Sequence, residues 1–304
     1  MAIAAPASAF TKKEDVDEEE DPVIRFTTVN KLLNQINHTL GDILIVTRMF
    51  VPIPLILYFN PSFIDVSPQD FTMIESRRRN FRLRRYYANS QILIITIPTP
   101  LHEALHLALY QQFCSAIINL VKSWRSIGST TYRSQGHPGG DGGEGDSTGG
   151  PKPERGKPND WPTLVIESGD SESLSRLRMD MEWWFRTSNH QVKIVLLAKF
   201  NHHRCEIQLE KWEEEPQAVR PGAMTTRLVA ARVAAGTLTP VKRQRRTITR
   251  SATNPPSFNV ARGALVLSFR LLFLRNPGPG EGDFVFGIPD LQVYAAHVWD
   301  QVRD

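Results

Sequence analysis

WPTLVIESGDSESLSRLRMDMEWWFRTSNHQVKIVLLA, Trp161 to Ala198, is the stretch whose reading decides the fold. Thr163 to Ile166 is a short apolar run rich in β-branched residues, which predicts a buried strand. Glu167 follows at once. A turn-forming cluster leads into a helical pattern over about 172–187, and VKIVLLA predicts a second strand over 192–199. The unit is therefore strand, helix, strand. A carboxylate at the end of a buried strand is costly to desolvate unless it is paired, hydrogen-bonded or bound to a cation. Glu167 is thus the first candidate for chemistry.

Outward from this unit, the pattern alternates between strands and helices. Downstream, His202 and His203 sit in a turn and Glu206 to Trp212 alternates as a strand. Residues 214–260 read as a basic linker or insertion with an alanine-rich helical piece, Thr226 to Ala235. Ala264 to Leu274 reads as an apolar strand and Pro289 to Val302 as a closing helix, so 261–304 should pack on the core. Upstream, 135–160 is so rich in glycine and proline that it reads as a flexible loop. Gly128 to Arg133 suggests a strand. PTPLHEALHLALYQQF predicts a helix capped near Thr99, with Leu101, Leu105, Leu109 and Phe113 on one stripe. Gln91 to Ile97 is a strand, Phe71 to Tyr87 a basic segment, and Arg25 to Leu40 a short helix. Residues 47–67 look like an irregular insertion, and acidic residues 1–21 like a disordered tail. The expectation is an α/β (α+β) protein with a mixed central sheet flanked by helices, its core within 22–213.

The 304 residues are 41% hydrophobic and 22% charged, enough for a substantial core. Two cysteines, Cys114 and Cys205, make no disulfide framework, which points to a reducing compartment. The acidic run TKKEDVDEEED does not fit a secretory or transit peptide. The apolar stretch Ile43 to Phe59 is short for a span and interrupted by Arg48, Pro52 and Pro54. These features predict an intracellular protein, of cytoplasm or nucleus, with no membrane association. A net charge of +4 permits a nucleic-acid partner without demanding one. Oligomeric state is not legible.

The segments PTPLHE, WPTLVIESGDSESLSRLRMDMEWWF and VKIVLLA together resemble an uncharacterised family of filamentous fungi. That family in turn resembles the bacterial putative restriction endonucleases of the PD-(D/E)XK superfamily. The similarity covers roughly residues 71–213. It implies a restriction-endonuclease-like fold and Mg²⁺-dependent hydrolysis of nucleic acid. Position by position, it implies metal ligation by Glu103, Asp146 and Glu167. Gly145 stands where the motif has its proline, and Gly169 where it has its lysine. The cation would then come from the following helix, where Arg176 and Arg178 lie, with Arg178 favoured, or from the next strand as Lys193. Such a set would hold a hard cation through carboxylate oxygens and use it to activate water. The same departures from the motif open a second reading, a catalytically inactive module of this fold that binds nucleic acid or protein.

A third reading comes from His102-Glu103-Ala104-Leu105-His106, a literal HExxH. Two histidines at i, i+4 share a helical face and could hold zinc in a hydrolase. No downstream ligand is evident in the sequence, so zinc ranks behind magnesium. Finally, SRRRNFRLRRYY interleaves Arg77, Arg78, Arg79, Arg82, Arg84 and Arg85 with aromatics, a pattern suited to nucleic-acid contact. VKRQRR, Val241 to Arg246, is a second basic run.

Overall fold

The computed structural model describes residues 23–48, 60–78, 80–128, 130–134, 139–216 and 237–302. Their order is β1 Val23–Arg25, α1 Val29–Arg48, β2 Ser62–Ile64, α2 Pro68–Arg77, β3 Arg82–Tyr87 and β4 Ile92–Thr96. Next come α3 Pro100–Ala116, β5 Trp124–Ile127, β6 Tyr132–Arg133, β7 Gly142–Gly143, β8 Ser147–Pro151, β9 Leu164–Gly169 and α4 Leu174–Thr187. The chain continues through β10 Ile194–Asn201, β11 Glu206–Pro216, β12 Leu238–Arg250, β13 Phe258–Ala261 and β14 Leu265–Leu267. It ends with α5 Phe269–Phe273, β15 Phe284–Phe286 and α6 Ile288–Trp299. This is a mixed α/β architecture.

All six residues of β9 are buried. A strand covered on both faces reads as a continuous apolar run, as Thr163 to Ile166 does. It lies inside a seven-stranded sheet of order β13-β12-β11-β10-β9-β8-β5. The pair β9–β10 is parallel, with Ile194 opposite Leu164, and the other neighbours are antiparallel. The crossover between the parallel strands is α4, started by Ser173, whose Oγ accepts from Arg176 N at 3.2 Å. Leu177, Met181 and Trp184 make its buried stripe on one sheet face. The opposite face carries α3, α5, α6 and the two-stranded β14–β15 sheet. Tyr294 of α6 donates its hydroxyl to the Leu105 carbonyl of α3 at 2.9 Å.

A second sheet, six-stranded, has the order β1-β2-β4-β3-β7-β6. It packs with α1 and α2 around Phe63, Phe71, Leu83 and Tyr86. Glu144, Gly145 and Asp146 are all that separates β7 of this sheet from β8 of the other.

Several expectations need correction. Residues 139–160 are no flexible loop: they carry β7 and β8, and Ser147–Pro151 is buried throughout. Its glycines serve close packing. A Cβ on Gly149 would lie 2.6 Å from Trp124 Nε1 and 2.6 Å from Tyr110 Oη. Residues 135–138 lie outside the described set. Residues 214–260 are no linker where described, because β12 pairs with β11 along its whole length. Its cations meet acids across the ladder: Lys242 Nζ lies 3.1 Å from Glu210 Oε1 and Arg243 Nη2 2.6 Å from Glu215 Oε2. The expected helical piece 226–235 lies outside the described residues.

The latter part of the expected insertion, residues 60–67, belongs to the second sheet. Phe63 and Val66 enter its core, and Asn60 Oδ1 accepts from Thr96 Oγ1 at 2.7 Å. Residues 49–59 and the acidic tail lie outside the described set. Ala264 to Leu274 divides into β14 and α5, a split that apolar periodicity alone does not reveal.

Candidate functional site

Where the two sheets meet, β3 carries Arg84 and Arg85 into a buried space. Neighbouring strand residues ordinarily face opposite ways. Here the β3–β4 register slips between Arg82 and Arg85, and both arginines reach the same aspartate. Arg84 Nε donates to Asp180 Oδ2 at 2.8 Å, and Arg85 Nε lies 2.9 Å from Asp180 Oδ1. Arg84 also pairs with Glu172. Arg85 Nη2 donates to Glu167 Oε1 at 2.6 Å, and Trp184 Nε1 donates to the same oxygen. The Arg85 guanidinium lies over the Trp183 and Trp184 rings, at 4.6 and 5.0 Å from their centroids. Burial opposes the Arg85 charge, but Asp180 and Glu167 raise its pKa above the ordinary value. Burial pushes the Glu167 carboxyl up to about 7 against the pull of Arg85, with Asp146 and Asp180 adding to the push.

Across β9, Ser168 faces α3. Its backbone N and its Oγ both donate to Asp146 Oδ2, at 2.7 and 2.9 Å. Thr99 Oγ1 accepts from His102 N at 3.0 Å and starts α3 so that His102, Glu103 and His106 face this edge. His102 Nε2 lies 3.3 Å from Asp146 Oδ2. Glu103 Oε1 lies 3.6 Å from His102 Nδ1 and 3.4 Å from His106 Nε2. His106 Nδ1 and Ser147 Oγ are 2.8 Å apart. Arg82 Nη2 donates to both Glu103 oxygens at 2.9 and 3.1 Å, and Nη1 donates to the Asp146 carbonyl at 2.9 Å. Burial pulls the His102 ring down, but the Asp146 carboxylate beside it lifts it to about 9. Burial likewise opposes Glu103, yet the two imidazoles hold its carboxyl far below the ordinary range.

Of the expected residues, Glu103 and Asp146 come together, with Arg82 between them. Glu167 faces the α4 side and is committed to Arg85. Arg178 pairs with Glu210, at 2.7 and 3.0 Å, and Lys193 Nζ donates to the His190 carbonyl at 2.6 Å. Neither contact involves Glu103, Asp146 or Glu167. The expected nucleic-acid arginines are mostly turned inward. Arg78 pairs with Glu144, Arg82 with Glu103, and Arg84 and Arg85 with the buried acids. Arg77 stays exposed and donates to Asn30 Oδ1 at 3.3 Å. Arg79 lies outside the described residues.

These positions do not suit a magnesium site. Such an ion wants several converging oxygens with room for water, whereas here Glu167 faces away to Arg85 and Arg82 holds both oxygens of Glu103. Gly145 and Gly169 are locked in. A Cβ on Gly145 would lie 2.6 Å from Thr148 Cγ2 and 3.2 Å from Trp184, and one on Gly169 would lie 2.9 Å from Leu177 Cδ1.

Sequence reading missed Asp180, Glu172 and the convergence of His106 with Asp146. Asp180 did leave a signal: it sits three residues from Leu177 and four from Trp184, on the apolar stripe of α4. Among the described residues, no helix is long and apolar enough to cross a membrane. No protein-family model matches the sequence, and no curated protein matches it either.

Proposed function

We propose that the chain is a restriction-endonuclease-like module that works by binding and does not hydrolyse phosphodiesters. The order of its elements supports the fold half of this reading. Glu103 on α3, Asp146 at the head of β8, Glu167 on β9, then α4 and a parallel strand follow the succession that the resemblance implies. One observation carries the functional half: Glu167 Oε1 is already held by Arg85 and Trp184. An acid satisfied in this way, with glycine in the lysine position, is part of the protein's interior. Where nucleic acid is the partner, its phosphates would compete with Glu210 and Glu215 for the exposed cations of β12, Lys242 and Arg243, rather than meet the inward run of β3.

The zinc-hydrolase reading is weaker on the same geometry. Its general base would be Glu103, yet Arg82 grips both oxygens and the carboxyl is held far from the near-neutral range such a base needs.

The test incubates DNA and RNA with the wild-type chain and with Glu167→Ala, in Mg²⁺ and in Mn²⁺. The expected result is no cleavage by either protein. Cleavage by wild type that Glu167→Ala abolishes would overturn the proposal and restore the nuclease reading.

A further inference from the structure

Neither the Arg85 lattice nor a binding surface on β12 uses the two histidines of α3. One ring nitrogen of His102, one of His106 and one carboxylate oxygen of Asp146 lie within 4.8 Å of one another. His106 is fully buried and His102 nearly so. His106 Nε2 and His102 Nδ1 make no hydrogen bond, although both face the Glu103 carboxylate. Orphaned imidazole nitrogens are rare in a protein interior, where polar atoms ordinarily find partners.

We propose that His102, His106 and Asp146 form a structural site for a divalent transition metal of the zinc class. Two imidazoles and one carboxylate are the donors that Zn²⁺ takes, and they discriminate against Mg²⁺ and Ca²⁺. Zn–N bonds of about 2.0–2.1 Å require the three donors to draw in around the ion by side-chain rotation. The second shell is already built. Ser147 Oγ sits on His106 Nδ1, which leaves Nε2 for the metal, and Ser168 fixes Asp146 through two hydrogen bonds. Glu103 Oε1 lies 3.4 Å from His106 Nε2, beside the three donors, and its side chain is partly exposed. An ion here would tie α3 to the edge of β8 and, through Ser168, to β9. The inference is independent of whether the chain cuts nucleic acid.

Co²⁺ is the probe, because its visible ligand-field absorption reports tetrahedral coordination. The starting protein is His202→Ala/His203→Ala, which removes the surface histidine pair as a competitor. The expected result is one Co²⁺ per chain with a tetrahedral spectrum, displaced by Zn²⁺. His106→Gln should abolish the spectrum. Ser147→Ala, a milder change that keeps every ligand, should weaken affinity about 10–100-fold. Where His106→Gln does not fold, X-ray absorption of the Zn²⁺-loaded surface variant decides, with two imidazoles expected in the ligand shell. Absence of a tetrahedral spectrum, its survival in His106→Gln, or a shell with fewer than two imidazoles would overturn the proposal.

Discussion

Arg85 is the residue on which the interior charge balance turns. It is wholly buried and joins Glu167 of β9 to Asp180 of α4. Removing one partner of a buried ion pair strands the other without water, which costs about 3–5 kcal/mol. Arg85→Met should lower unfolding free energy by that amount in denaturant titration. Adding Glu167→Gln should recover much of it, since Arg84 still holds Asp180. Glu167 also sets a pH dependence. Its folded pKa of about 7 lies above the ordinary 4.5, so the folded chain binds more protons between those values. Stability from this group is therefore greatest below about pH 4.5 and declines as pH rises towards 7. Thermal melts of Glu167→Gln against wild type from pH 5 to 8 should show the slope flattened in the variant. Glu167 was legible because a carboxylate closing an apolar strand stands out. Arg84 and Arg85 were not, because SRRRNFRLRRYY reads as a nucleic-acid-contacting run and only the slipped register of β3 brings both indoors.

At the level of single elements, sequence reasoning worked where periodicity was strong and failed where composition stood in for it. The helix α3 and its Thr99 cap follow from apolar spacing and the prolines before it. Strands β9 and β10 follow from β-branched runs. The stretch 139–160 misled because glycine has two uses. It frees a backbone, and it also lets large neighbours come close. At Gly149 the second use governs, with Trp124 and Tyr110 packed where a side chain would stand. Gly149→Ala should therefore destabilise the protein by about 1–3 kcal/mol as an overpacked core position. A loop glycine would change stability little, so the unfolding midpoint separates the two. The histidine cluster was half legible. HExxH announced a shared helical face, but its third donor lies 40 residues downstream, in the segment that composition had marked as structureless.

On the scale of the molecule, two mixed sheets meet at a polar seam and at an aromatic one, where Tyr132 of β6 stacks on Trp161 and meets Trp184 edge-on. The sequence shows alternating strands and helices but not that they divide between two sheets, because the division depends on pairings between distant segments. β7 ends the first sheet's claim on the chain at Gly143 and β8 opens the second's at Ser147. Between them, Glu144 Oε2 accepts from Leu83 N at 3.2 Å, and the Glu144 carbonyl accepts from Arg85 Nη1 at 3.1 Å. A join this short and this well anchored leaves no slack for one half to breathe while the other stays closed. Amide protons of β3, β8 and β9 should thus exchange with solvent in a single slow class, lost together as denaturant rises. Two separated classes in native-state hydrogen exchange would mean that the halves open independently. The three-residue crossing should thus tie the two sheets into one cooperative unit, with opening of either half felt by the other.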